Sequence, residues 1–329
     1  MSNKNKDISM IDKIIEILKE RDNFLIVSHK SPDGDTIGAN FALTASLLKL
    51  GKDVVSFCDN NLPFEYQFLL DDRIPFITET ELILNRKFEV MIMVDCSDSG
   101  RLSMFQEFRS NSEILINIDH HRTNDNFGNI NLVYPNYSST GEIVFEILKN
   151  GEFYVDKYIA TAIYTAILTD TGSFRYSNTN PTTFKVASEL LEYGINCWEI
   201  AEKVYENKPY KRILLLRDAL NSLSLSDNKK VAIMTLHKNI MDKYDATGED
   251  TDGFVNIGRS IAGVEISILI REEKNGCKLS FRSRGNLDVA EIAKRLNGGG
   301  HKNAAGAFIE KTADEVESII KELIKSYGY

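Results

Sequence analysis

The stretch 23-NFLIVSHKSPDGDTIGANFALTASLLKLG-51 decides the fold. Its first residues form a continuous apolar run that reads as a strand buried on both faces. Pro32 and Gly34 then exclude a regular helix or a central strand across 29-HKSPDGD-35. From Asp35 the apolar spacing becomes helical, and it stops at Gly51, a residue suited to capping a helix C-terminus. Strand, tight polar loop and helix in that order begin a parallel α/β sheet.

The flanking sequence repeats the pattern. IDKIIEILKE, before the stretch, has helical spacing, and KDVVSFC, after it, reads as a second strand. Two further continuous apolar runs follow, 90-VMIMVD-95 and 114-ILINID-119. Strands alternating with helices predict an α/β domain with a mainly parallel sheet, which binds ligands at the carboxyl ends of its strands. Those ends carry His29, Asp95, and Asp119, His120 and His121. From about 140 to 222 the apolar spacing is helical, and the segment beginning at Pro209 is expected to connect two domains. VAIMTL (231–236) opens a smaller α/β unit that continues with GVEISILIREE, GCKLSFRSRG, a helix from Asp288 to Leu296, NGGGHKNAAGAFIE and a terminal helix. The expected division is 1–200, a helical linker over 201–224, and 225–329. There is no internal repeat.

The 329 residues carry 39 Lys and Arg against 48 Asp and Glu, a net charge of −9. That argues against a surface that coats long nucleic acid. An anionic substrate still fits if arginines or bound cations invert the sign inside one cleft. The four cysteines are widely spaced and contain no C-x-x-C, as suits a reducing cytoplasm. No signal peptide or membrane-spanning run is visible. The expectation is a cytoplasmic protein without a membrane partner.

Four of the five histidines lie in loops rich in Asp or Gly. His29, Asp33 and Asp35 form H-x-x-x-D-x-D, a mixed nitrogen and oxygen donor set suited to Mn, Fe, Zn or Mg. The competing structural account is an Asp-rich turn with Asp35 capping the next helix. Asp95, in 94-VDCSDSGR-101, and the 119-DHH-121 triplet stand at strand ends, where capping is again the plain alternative. Asp170, in 168-LTDTGSF-174, ends a helix that reads as buried, a costly place for a carboxylate without a partner. Together, two imidazoles and four carboxylates suffice for two divalent ions sharing one carboxylate, an arrangement that clamps both oxygens of a phosphoryl displacement. In the second unit, 281-FRSRG-285 offers Arg282, Ser283 and Arg284, and 297-NGGGHKNAAG-306 offers Gly298, Gly299, Gly300 and His301. Glycines let backbone N–H groups approach an anion, and arginines grip phosphate. At most one of the two arginines is expected to face a cleft unless the strand bulges or ends there. His237 is assigned no function.

With these clusters in this order, the chain resembles the DHH phosphoesterase family, and within it the two-domain oligoribonuclease and pAp phosphatase (nanoRNase) subfamily. The resemblance runs over nearly the whole chain and implies a DHH domain followed by a smaller α/β DHH-associated domain. It implies that His29 and Asp33 bind one metal ion, that Asp35, His120 and Asp170 bind the other, and that Asp95 bridges them. Asp119 would orient its loop, His121 would meet the scissile phosphate or assist the leaving group, and Arg101 would contact substrate. Arg282, Ser283, Arg284, Gly298, Gly299, Gly300 and His301 would hold the terminal phosphate and nucleotide. The implied cofactor is a pair of Mn2+ ions, with Mg2+ or another divalent ion suiting the same donors. The implied substrates are short RNA (nanoRNA) and pAp, and the implied assembly is a homodimer. Cleavage of pApA or cyclic di-AMP is the alternative activity. A non-catalytic nucleotide-binding regulator is a remote one, since all six ligand positions are intact.

Overall fold

The computed structural model describes residues 9–30, 32–285 and 287–327. The chain divides into two compact units, Met1–Asn207 and Lys208–Tyr329.

The first unit is built on a sheet of β1 (Asn23–Ser28), β2 (Asp53–Cys58), β3 (Phe76–Ile77), β4 (Phe88–Val94), β5 (Ser112–Asp119) and β6 (Ile130–Val133). All pairings are parallel, and the order is β3-β2-β1-β4-β5-β6. The chain winds outward from β1 through β2 to β3, then returns to lay β4 on the other side of β1. The order therefore reverses between β1 and β4, which opens a crevice at their carboxyl ends. Val27 is level with Met93, and Val94 with Ile118. Continued past the strand ends, this register puts His29, Asp95 and Asp119 at one level.

The continuous apolar runs are explained by burial on both faces. Phe24, Ile26, Val90, Ile92, Ile116 and Ile118 belong to one core cluster, and Leu25, Val27, Met91, Met93 and Leu115 to another. The helices are α1 (Met10–Glu20), α2 (Gly34–Lys49), α3 (Phe105–Ser110), α4 (Thr140–Asn150), α5 (Lys157–Asp170), α6 (Pro181–Leu191) and α7 (Cys197–Ala201). Gly34 to Leu47 of α2 are all buried, so the helix has no polar face. Two glycines set how close its neighbours come. A Cβ on Gly38 would lie 2.3 Å from the Ala162 carbonyl oxygen in α5, and one on Gly141 in α4 would lie 2.4 Å from the Ala166 Cβ. Gly51, at φ 79°, follows α2 as the expected terminator.

In the second unit α8 (Tyr210–Asn221) precedes β7 (Ser224–Leu225), β8 (Val231–Leu236), α9 (Lys238–Lys243), α10 (Phe254–Ser260), β9 (Ile266–Glu273), β10 (Gly276–Ser283), α11 (Val289–Lys294), β11 (Gly299–His301), β12 (Ala304–Ile309) and α12 (Ala313–Ser326). The sheet order is β11-β12-β10-β9-β8-β7, with β8 and β9 parallel and the other pairs antiparallel. Helix α8 falls within the segment expected as a linker. Its Leu215 and Ala219 are buried against Met234, Leu236 and Leu269 of the second unit. Among the described residues no helix is long and apolar enough to cross a membrane.

Candidate metal centre

Each polar residue of the crevice is delivered by the end of a regular element. β1 leads into His29, whose Nδ1 lies 2.9 Å from the Lys30 carbonyl oxygen and 3.3 Å from the Arg101 guanidinium. Asp33, not Asp35, caps α2: its Oδ1 accepts from the backbone N–H groups of Asp35 and Thr36 at 3.1 and 3.0 Å. The helix starts one residue earlier than expected, so Asp35 lies in its first turn and is free to aim elsewhere. It aims at the N-terminus of α4, where the Thr140 and Gly141 N–H groups donate to its two oxygens at 2.7 and 2.8 Å. A helix N-terminus favours a carboxylate in that position.

Asp95 follows β4 with φ 56°, a left-handed conformation uncommon for a residue with a side chain. Backbone strain of this kind clusters at functional sites. Its carboxylate faces two ways. Oδ2 lies 3.6 Å from His29 Nε2, and Oδ1 lies 3.7 Å from His120 Nε2 and 3.6 Å from His121 Nδ1. His120 Nδ1 sits 3.3 Å from the Tyr137 carbonyl oxygen, which turns Nε2 towards Asp35 Oδ2 at 3.7 Å and Asp170 Oδ2 at 3.5 Å. A histidine anchored through one nitrogen in this way presents the other as a ligand. His121 is held at Nδ1 by Asp119 Oδ1, 2.7 Å away, and the fully buried Asp119 also accepts from Asn124 at 2.6 Å.

Burial and three neighbouring carboxylates, Asp95, Asp170 and Asp33, push Asp35 well above the ordinary carboxylate range. Burial likewise pushes Asp170 up to about 7, with His120 opposing the shift and Asp95 and Asp33 adding to it. Burial also works to raise Asp95, but the His29 hydrogen bond and the three nearby imidazoles outweigh it and hold the group far below its usual value. His121 is pushed up to about 9: burial disfavours the cation, and the Asp119 hydrogen bond and the Asp95 charge override it. The cluster thus holds more negative charge than its own cations balance. Ligand atoms of His29, Asp33 and Asp95, of Asp35, His120 and Asp170, and of Asp95, His120 and His121 each lie within 4.8 Å of one another. Imidazole nitrogen and carboxylate oxygen at this density fit divalent cations of hard to borderline character.

Several participants escaped the sequence reading. The Thr36 hydroxyl lies 2.7 Å from His29 Nε2 and donates towards Asp95 Oδ2 at 2.6 Å. Thr140 donates its hydroxyl to Asp95 Oδ1 at 3.2 Å, and Asn178 donates to Asp170 Oδ2 at 3.0 Å. Thr36 directly follows the D-x-D pair, and 138-SSTGE-142 is a helix start rich in hydroxyls. Those were the available signals.

The residues singled out in the second unit are placed differently. β10 ends at Ser283, so Arg284 lies past the strand and is exposed. Ser283 is buried, donating its hydroxyl to the Leu287 carbonyl at 2.8 Å and accepting from Asn303 at 3.0 Å. Burial, then the nearby Arg259, lowers the Arg282 guanidinium from its usual value, so two cations approach each other there. Gly298 and Gly300 are packed against β12, where a Cβ would lie 2.2 Å from the Gly306 oxygen and 2.5 Å from the Ala304 oxygen respectively. Gly299 has nothing within 4 Å of its Cβ position. The His301 side chain lies outside the described residues. His237 is half-buried, 3.7 Å from Glu272 and 3.9 Å from Asp314.

Residues 23–167 match the DHH family N-terminal domain, and residues 228–327 match the DHHA1 domain. A protein named bifunctional oligoribonuclease and PAP phosphatase NrnA from Thermus thermophilus is 30% identical over 96% of this chain and 95% of its own length. The protein of the same name from Bacillus subtilis is 25% identical over 95% of this chain and 97% of its own. Among solved structures, an exopolyphosphatase-related protein from Bacteroides fragilis superposes with a TM-score of 0.92 at 30% identity, covering 98% of both chains.

Proposed function

The chain belongs to the DHH family of metal-dependent phosphoesterases, and on that premise we propose that it hydrolyses very short oligoribonucleotides to mononucleotides and dephosphorylates pAp to AMP. The observation that carries this reading is the two-faced Asp95, with one oxygen 3.6 Å from His29 and the other 3.7 Å from His120. The names of the relatives from T. thermophilus and B. subtilis, which state both activities, support the choice of substrate.

In this reading His29 and Asp33 would hold one ion, Asp35, His120 and Asp170 would hold the other, and Asp95 would serve both. Two divalent cations, Mn2+ by preference and Mg2+ as substitute, would supply Lewis acidity at the phosphoryl oxygens and acidify a water near neutral pH. The chain's own groups do the rest. Asp119 fixes the tautomer and direction of His121. With its Nδ1 held by Asp119, His121 donates its Nε2 proton to the ester oxygen that departs as its bond to phosphorus breaks. Arg101, beside His29, offsets charge on the phosphoryl group. Arg282, Arg284, Gly298, Gly299, Gly300 and His301 grip the substrate's terminal phosphate. Ser283 serves them by holding the turn.

The test incubates the purified chain with Mn2+, and separately with Mg2+, against labelled RNA of a few nucleotides, a long single strand, pAp, pApA, cyclic di-AMP and pyrophosphate. Turnover of short RNA and pAp is expected, with the long strand spared. Fast hydrolysis confined to pApA or cyclic di-AMP moves the assignment to a dinucleotide phosphodiesterase. No cleavage in any lane, with metal shown to be bound, leaves a nucleotide-binding regulator.

A further inference from the structure

We propose that an open cavity of ≈ 490 Å³ on the first unit, lined among others by Arg122, Asn136, Tyr137, Ser177 and Asn180, is the subsite for the nucleoside that an oligoribonucleotide has and pAp lacks. The proposal rests on the functional reading above and adds a specificity determinant to it.

Two contacts tie the cavity to the candidate metal centre. Tyr137, which lines it, supplies the carbonyl oxygen 3.3 Å from His120 Nδ1. Asn178, also in its wall, donates to Asp170 Oδ2 at 3.0 Å. Two residues of the cavity wall thus touch two of the candidate metal ligands.

The wall chemistry suits a nucleotide. Arg122 is exposed, and its guanidinium has no ion-pair or hydrogen-bond partner among the described residues, beside a centre that otherwise gathers carboxylates. An unneutralised guanidinium there matches a phosphodiester oxygen or its neighbour. The Tyr137 ring is held before any ligand arrives: it stacks on Tyr134 at 5.3 Å and 26°, and its hydroxyl donates to Glu146. A fixed aromatic ring is a sequence-tolerant platform for a base. The Asn136 amide and the Ser177 hydroxyl put hydrogen-bonding groups around it, as a base edge or ribose requires, while the Asn180 amide caps α6 and donates to the Asn136 carbonyl, which fixes that wall. In pAp the scissile phosphate carries one nucleoside, whereas in RNA it carries one on each side. The nucleoside beyond the scissile phosphate, which only the RNA has, is the one assigned to this cavity.

The experiment measures kcat/KM of the full chain with Mn2+ for a 5′-phosphorylated adenylate dinucleotide and for pAp. The variants are Arg122→Ala, Tyr137→Ala and Tyr137→Phe. Arg122→Ala and Tyr137→Ala are each expected to lower the dinucleotide-to-pAp ratio about tenfold, while Tyr137→Phe, which keeps the ring, retains the wild-type ratio. An unchanged ratio in both alanine variants, including an equal loss on both substrates, overturns the subsite. If the wild type hydrolyses neither substrate, the functional reading fails by itself. Binding of the labelled dinucleotide in Ca2+ then decides the subsite: about tenfold weaker binding to Arg122→Ala upholds it, and equal binding overturns it.

Discussion

In the first unit the carboxylates of Asp33, Asp35, Asp95 and Asp170 converge at the ends of parallel strands and helices, where burial and mutual repulsion hold Asp35 and Asp170 above their ordinary range. In the second unit Arg282 stands near Arg259, Arg284 is exposed, and a glycine run forms a hairpin edge. One region concentrates negative charge among buried side chains, and the other offers positive charge and backbone at a surface. A buried cluster of like charges is costly alone and calls for counter-charge. A grip that is only partly buried costs less to maintain, and its loss is felt in binding. The two regions should therefore fail in different ways when altered.

The largest effect is expected from Asp95→Asn, which keeps shape and removes the charge both faces share. Turnover should fall about a thousandfold or more, with bound metal lost by elemental analysis; wild-type rates would break the contrast at its root. Thr36→Val removes the hydroxyl between His29 and Asp95 while preserving volume. A fall of about 10–100-fold in metal affinity or turnover is expected, and a change confined to KM would remove Thr36 from the centre. Arg282→Ala and Arg284→Ala should raise KM about tenfold with kcat nearly kept, as loss of uniform binding does. A pure kcat loss would put these arginines with the chemistry instead.

Two stability experiments sharpen the contrast further. In the metal-free chain Asp170 is held up at about 7 against an ordinary 3.8. The folded state then binds more protons than the unfolded one between those values, so stability falls as pH rises from about 4 to about 7. Asp170→Asn should flatten that fall. The melting temperature of the metal-free variant should match wild type near pH 4 and exceed it near pH 8, by about 2–4 °C for each kcal/mol relieved. Equal pH slopes would mean that the repulsion is not felt. Among the glycines, Gly300→Ala meets the Ala304 oxygen from φ 142° and should cost about 1–3 kcal/mol. Gly299→Ala has open space and should cost less than about 0.5 kcal/mol. Matching melts for the two would remove the distinction between packing and open glycines.

The continuous apolar runs at 24–27 and 90–94 made the parallel sheet legible, because burial on both faces leaves no alternation to mistake for anything else. The strand ends then named His29, Asp95 and the DHH triplet. β6 was harder, being a four-residue edge strand that lacks such a run. Thr36, Thr140 and Asn178 were harder to read for another reason. Their roles come from which N-terminus or strand end they face, and that depends on the docking of α2, α4 and α5. The capping role went to Asp33 rather than Asp35 because the helix begins at Gly34, and a cap displaced by two residues is not revealed by composition.

The glycines at 38 and 141 have a consequence for how the protein tolerates change. They act as spacers between α2, α4 and α5, the helices that carry Asp35, the N–H groups holding it, and Asp170. A single methyl at either position pries those helices apart, and misplacement on the order of 1 Å is enough to cost a reaction about a hundredfold. A scan of every substitution in the first unit should therefore find sites of severe loss at two positions that donate no ligand and touch no substrate. Their alanine variants would remain folded near the strands while the centre above them is pulled out of register.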